Sequence, residues 1–202
     1  MNIIINASES QIAILQGKTI QTSVHIKWYE NTVSNADAYI DLLFDGKKSV
    51  FQTIIDKPVI VNAVTATCEN LPINFCRINA WNSYLEKDKL EACTLNKDLQ
   101  SGFEAILSAI GYKCLFVSDI AGMVSARAVA MIINEAYFGI EDEISTKQQI
   151  DTAMKLGTNY PYGPFEWAEK IGIKNIAALL VELYKTDERY KPSDLLLKEA
   201  NL

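Results

Sequence analysis

Residues 119–143 read DIAGMVSARAVAMIINEAYFGIEDE, and the hydrophobic period of the chain changes across them. Val129, Ile132, Ile133, Ala136, Tyr137 and Ile140 recur at the three- and four-residue spacing of one helix face. Upstream the pattern is different. Short, nearly continuous apolar runs such as PVIVNAV (58–64) and KCLFV (113–117) suit strands in a sheet covered on both faces. Strands are expected over 2–5, 23–29, 38–43, 58–64, 75–81, 90–93 and 113–117, interrupted by one clear helix over 96–110. Downstream, Ser145 or Thr146 can cap a helix that runs to Leu156 and stops at Gly157. NYPYGP (159–164) is a loop, and Pro164 suits the first turn of a helix holding Phe165 and Trp167. A further helix carries Ile176, Leu179, Leu180, Leu183 and Tyr184, and Pro192 and Ser193 open a short last one. The architecture is α/β followed by all-α, with the boundary near 118–122.

The rest of the composition narrows the function classes. A chain of 202 residues, 49% hydrophobic and 22% charged, can bury a sizeable core. Its net charge of −6 and lack of basic runs argue against nucleic acid or an anionic membrane as partner. The start, MNIIINASES, lacks the basic region of a signal peptide and reads as a first strand, and no run reaches the roughly 18 apolar residues of a membrane span, so a cytoplasmic location is expected. Cys68, Cys76, Cys93 and Cys114 contain no CxxC, so no metal site is expected and reduced thiols are. The single histidine, His25, falls on the polar face of a strand.

The string DIAGMVSARAVAMIINEAYFGIEDE, then IDTAMKLGTNYPYGPFEWAEKIGI, then RYKPSDLLL resembles the C-terminal domain of 3-hydroxyacyl-CoA dehydrogenases. Asp119, Gly122 and Arg127 match that family's D-x-P-G-F-x-x-N-R junction, and Asn134, Glu135 and Ala136 match its N-E-A helix. Ile150, Asp151, Ala153, Met154 and Gly157 match I-D-x-A-M-x-x-G, and Pro161, Gly163, Pro164 and Phe165 match P-x-G-P-F. The resemblance implies a shortened Rossmann-like domain over 1–118 and a helical domain over 119–202. In the family the first domain binds NAD. Glu30, at the end of SVHIKWYE, falls where an acid would hold the adenosine ribose. But no GxGxxG follows the first strand, the first glycine being Gly17, so no cofactor is expected on the residues and NAD is implied by resemblance only. Only NTVSNAD separates Glu30 from the next strand, where the family has a long helical excursion.

RINAWNSYLEKDKLEAC (77–93) resembles the family's catalytic segment, H-F-F-N-P followed at fixed spacing by L-V-E-V. There the histidine is the general base and the glutamate orients it. Asn79 stands at the histidine position, Asn82 at the asparagine, Ser83 at the proline and Glu91 at the glutamate. Ala126 replaces the asparagine before the junction arginine. The family's serine falls near Asn62, Ala63 and Val64, with Thr65 or Thr67 as substitutes. Imidazole, with a pKa near ~6.5, can take a proton at neutral pH, whereas an amide can only hydrogen-bond. A positioned base contributes about 10²–10⁴-fold.

The leading reading is therefore a family member whose site, Asn79, Asn82 and Glu91, is vestigial. The family reaction is NAD-linked oxidation of 3-hydroxyacyl-CoA in fatty acid metabolism. The second reading is a non-catalytic dimeric module that binds acyl-CoA or a protein partner. The third is an active oxidoreductase with Glu91 as base, since burial raises a carboxylate pKa toward neutrality. A homodimer through the helical domain is expected, because the stripes Ala128–Ile132–Tyr137 and Leu179–Leu183 offer more apolar surface than one small domain covers.

Overall fold

The computed structural model describes residues 1–44 and 46–202 and divides into two compact units, Met1–Met123 and Val124–Leu202. The first unit keeps residues 119–123, which the sequence placed with the helices. The reason is local: the Asp119 carboxylate accepts from Cys68 N, and Gly122 N donates to Val64 O at 2.8 Å, tying the segment to the strands.

Among the described residues the first unit holds seven strands: β1 (Asn2–Asn6), β2 (His25–Trp28), β3 (Ala38–Asp41), β4 (Val59–Asn62), β5 (Phe75–Ile78), β6 (Lys89–Cys93) and β7 (Lys113–Phe116). All seven expected strands are present. Their order in the sheet is β2-β1-β3-β4-β5-β6-β7; all neighbours run parallel except β5 and β6. Alternate residues feed two cores. Ile3, Ile5, Ala38, Ile40, Ile60, Cys76, Ile78, Leu90 and Ala92 face one side. They pack against α1 (Glu9–Gln16), α2 (Asn82–Leu85) and α3 (Gln100–Ala109), chiefly through Leu15, Leu85, Phe103 and Leu107. Ile4, Tyr39, Val59, Val61 and Phe75 face the other side. There the connections 29–37 and 42–58 contain no helix among the described residues, and Tyr29, Phe44 and Phe51 cover the sheet instead. The Tyr39 and Phe51 rings lie 5.1 Å apart.

One helix was expected between these strands and, among the described residues, three α-helices are present. The helix α1 lies beyond the strand expected over 2–5, in a stretch to which the sequence reading assigned no element. It is set by a capping box: Gln11 N donates to Ser8 Oγ at 3.3 Å, and Ser8 N donates to Gln11 Oε1 at 3.0 Å. The helix expected over 96–110 begins as a 3-10 turn at Lys97–Leu99 and becomes α-helical from Gln100.

The second unit contains α4 (Ser125–Glu141), α5 (Lys147–Thr158), α6 (Pro164–Ile171), α7 (Ile173–Tyr184) and α8 (Asp194–Ala200). Thr146, with Gln149, caps α5, which passes Gly157 and ends on Asn159 in the left-handed conformation (φ 56°). Ser193 caps α8. Ile133, Ile176, Leu179, Leu180 and Leu196 are fully buried. No helix among the described residues is long and apolar enough to cross a membrane.

Candidate functional site

The strand β5 ends at Ile78, so Asn79 is the next residue, and its N–H donates to Glu91 O on antiparallel β6 at 3.0 Å. The register pairs Arg77 with Cys93 and Ile78 with Ala92. Asn79 and Glu91 therefore stand opposite each other, on the face of the sheet away from Ile78 and Ala92. Asn79 is 1% exposed and Glu91 is half-buried. Asn82 opens α2, half-buried, three residues on, and Ser83 beside it is buried. The twelve-residue spacing in the sequence thus becomes a cross-strand pair. An amide at its centre holds no titratable proton.

Two positions away on the same face lies a residue that sequence reasoning did not single out. Arg77 is 0% exposed. Its Nη1 donates to Ala63 O at 3.0 Å and Ala66 O at 2.5 Å, and its Nη2 donates to Ile120 O at 2.6 Å. Its Nε pairs with Asp119 Oδ1 at 2.8 Å. The guanidinium thereby fixes the loop after β4, which carries half-buried Thr65 and Thr67, to the segment after β7. A lone base inside the apolar run INFCRINAW was the available signal, since a cation is almost never buried unless paired. The same cluster contains Cys68 and Cys93. Burial pushes both thiols up; the Asp119 carboxylate adds to this and Arg77 opposes it.

The strand order reverses between β1 and β3, where a dinucleotide would sit in a doubly wound sheet. Three features fill that point. The capping box uses the Ser8 and Gln11 amides that face outward at the start of α1. The buried Gln11 side chain also donates through Nε2 to Leu42 O at 3.3 Å. Asp41, 1% exposed at the end of β3, accepts from Asn6 Nδ2 (2.8 Å), Leu43 N (3.2 Å), Ser49 Oγ (2.6 Å) and Val50 N (3.1 Å). This network holds a connection down over the switch point and places an acid there. A pyrophosphate needs free backbone amides, glycine for close approach and no competing anion. The residues present do not fit it. Glu30 is exposed two residues after the end of β2.

In the second unit, Ala126 is 0% exposed in the first turn of α4. The matched residues there act on structure. Asn134 Nδ2 donates to Lys191 O and its Oδ1 accepts from Ser193 N, both at 2.8 Å. Arg127 bonds Tyr190. Asp151 accepts from Phe165 N at 2.8 Å, and a Cβ on Gly163 would lie 2.2 Å from its Oδ1, so the two segments pack without room for a side chain at 163. The stripes that motivated a dimer are partly core: Tyr137, Leu179 and Leu183 are 2%, 0% and 6% exposed. Leu156 (82%) and Ile144 (75%) are among the most exposed large apolar side chains of this unit instead.

Residues 122–201 match the family profile "3-hydroxyacyl-CoA dehydrogenase, C-terminal domain". A 3-hydroxyadipyl-CoA dehydrogenase of Escherichia coli K12 is 36% identical over 167 residues, which is 77% of this chain and 34% of that protein. The solved 3-hydroxybutyryl-CoA dehydrogenase of Escherichia coli K12 superposes with a TM-score of 0.64 at 31% identity, over 84% of this chain and 36% of that one. An (S)-3-hydroxybutyryl-CoA dehydrogenase of Ralstonia eutropha shares the fold, with a TM-score of 0.75 at 17% identity, over 98% of this chain and 92% of that one. The chain spans about a third of the length of the first curated relatives it matches. Residues 122–201 belong to the 3-hydroxyacyl-CoA dehydrogenase C-terminal domain family, and the chain as a whole is similar to 3-hydroxyacyl-CoA dehydrogenases.

Proposed function

We propose that this chain is a 3-hydroxyacyl-CoA dehydrogenase-like protein with a vestigial dehydrogenase site and little or no dehydrogenase activity. It retains the cross-strand frame of the site and lacks the groups that move protons and hold coenzyme. The observation that supports the reading is the hydrogen bonding at the switch point, where the Ser8 and Gln11 amides are used in a capping box and Asp41 adds a buried acid held by Ser49. Asn79 in the family's histidine position supports it independently. Oxidising a 3-hydroxyl needs a proton acceptor, and neither Asn79 nor Ala126 can be one. The chain acts on this reading as a binding module, a homodimer paired through its helical unit, with acyl-CoA as the ligand class its family suggests.

The test is reduction of acetoacetyl-CoA, followed by loss of NADH absorbance, in the wild-type chain and in Asn79→His/Ala126→Asn. Background rates in both are expected, because restoring a base does not restore a coenzyme cradle. Turnover by the double variant at rates usual for a dehydrogenase, about 1–10³ s⁻¹, would contradict the reading. Turnover by the wild type that is lost in Glu91→Gln would establish Glu91 as the base instead.

A further inference from the structure

Cys68, Cys93 and Asp119 come from three separate segments: the turn after β4, the end of β6 and the stretch after β7. Folding brings two thiol sulfurs and a carboxylate oxygen within 4.8 Å of one another. We propose that this trio binds a soft divalent cation of the Zn(II) type, with Arg77 as the fixed counter-charge that keeps the site neutral. Sequence spacing does not reveal it, because the cysteines lack CxxC and the ligands meet only in the tertiary structure.

Distance and chemistry both fit. Zn–S bonds of about 2.3 Å and Zn–O bonds of about 2.0–2.2 Å place tetrahedral ligand atoms about 3.5–3.8 Å apart. The trio closes around an ion with shifts of about an ångström or less. Two thiolates and one carboxylate select zinc-type ions over magnesium or calcium. Cys68 and Cys93 are 2% and 5% exposed, while the Asp119 side chain is 22% exposed and gives the ion a path in and room for a water as fourth ligand.

Charge balance is the stronger argument. Without the ion the cluster holds two thiols, one carboxylate and the Arg77 guanidinium, 2.8 Å from Asp119, and is neutral. Binding follows M²⁺ + 2 Cys–SH → M(S–Cys)₂ + 2 H⁺. Two thiolates, one carboxylate and a dication sum to one negative charge, which Arg77 again cancels. Uptake therefore exchanges two protons for the ion and buries no net charge, avoiding the penalty that isolated buried charges carry.

The test titrates the reduced, chelator-stripped 202-residue chain with Co(II) and then Zn(II). One ion per chain, a thiolate-to-cobalt charge-transfer absorption and release of two protons per ion are expected. Cys68→Ser and Cys93→Ser should each weaken binding at least about tenfold, with Cys114→Ser unchanged. Wild-type protein without the charge-transfer absorption overturns the proposal, as does an absorption that survives in the Cys68→Ser/Cys93→Ser double variant. The wild-type measurement decides even where a serine variant does not fold.

Discussion

Replacing Arg77 with methionine (Arg77→Met) keeps most of the side-chain volume and removes the guanidinium. Asp119 then loses its 2.8 Å ion pair, and the carbonyls of Ala63, Ala66 and Ile120 lose their Arg77 donors. Breaking a buried pair by removing one partner costs about 3–5 kcal/mol. Each orphaned carbonyl adds at most about 1 kcal/mol, and less here because the loop can relax toward water. A loss of about 4 kcal/mol is expected for the first unit, equivalent to roughly 12–20 °C in Tm for a unit of this size. Asp119→Asn should cost less, about 2 kcal/mol, because Arg77 keeps its carbonyl acceptors. The double variant should lose less than the sum, as contacting residues do. Urea unfolding followed by tryptophan fluorescence in a Trp167→Phe background reads this directly, since Trp28 and Trp81 both belong to the first unit. A loss below about 1 kcal/mol for Arg77→Met would refute the claim that this guanidinium holds the loop after β4 to the segment after β7.

Other perturbations test the second unit. Gly163→Ala puts a Cβ 2.2 Å from Asp151 Oδ1 and should cost about 2–3 kcal/mol by displacing the acceptor of Phe165 N; a wild-type melting curve would contradict this. Burial pushes Glu199 up, but the Lys147 ammonium and the Tyr137 hydroxyl outweigh it and hold the carboxyl below its ordinary value. The folded value is depressed, so the stabilisation is complete above the unfolded value near ~4.3 and is lost as pH falls through the folded one. The Tm difference between wild type and Glu199→Gln should be constant above about pH 5 and shrink below about pH 4; a difference that persists to about pH 3 counts against the pair. Light scattering after size exclusion should give twice 22.6 kDa, and Leu156→Asp should halve it; a wild-type mass of 22.6 kDa would refute the dimer.

Much of the fold was legible because apolar period is a local property. The runs PVIVNAV and KCLFV gave strands, and Val129 to Ile140 gave a helix. What failed was short or depended on partners. The helix α1 has its apolar residues in one run, Ile12–Leu15, without helical spacing, and is set by the Ser8–Gln11 box, a two-residue signal just after a strand-like start. Tyr137, Leu179 and Leu183 looked like surplus apolar surface because periodicity reports a buried face without saying what buries it. At the site, the Asn79–Glu91 spacing survived folding as a cross-strand pair, since an antiparallel register converts sequence separation into contact. The Arg77–Asp119 pair and the Cys68–Cys93 pair were not legible. Their members are 42 and 25 residues apart and meet only when β5, β6 and β7 assemble.

The most direct measurement is calorimetric titration of the wild-type chain with NADH. A chain whose switch point is filled by Gln11 and by the Asp41 network should give no saturable binding at concentrations up to about 1 mM, where affinity would already be only about −4 kcal/mol. A dissociation constant in the low micromolar range, about −7 to −8 kcal/mol, would contradict the account at its centre.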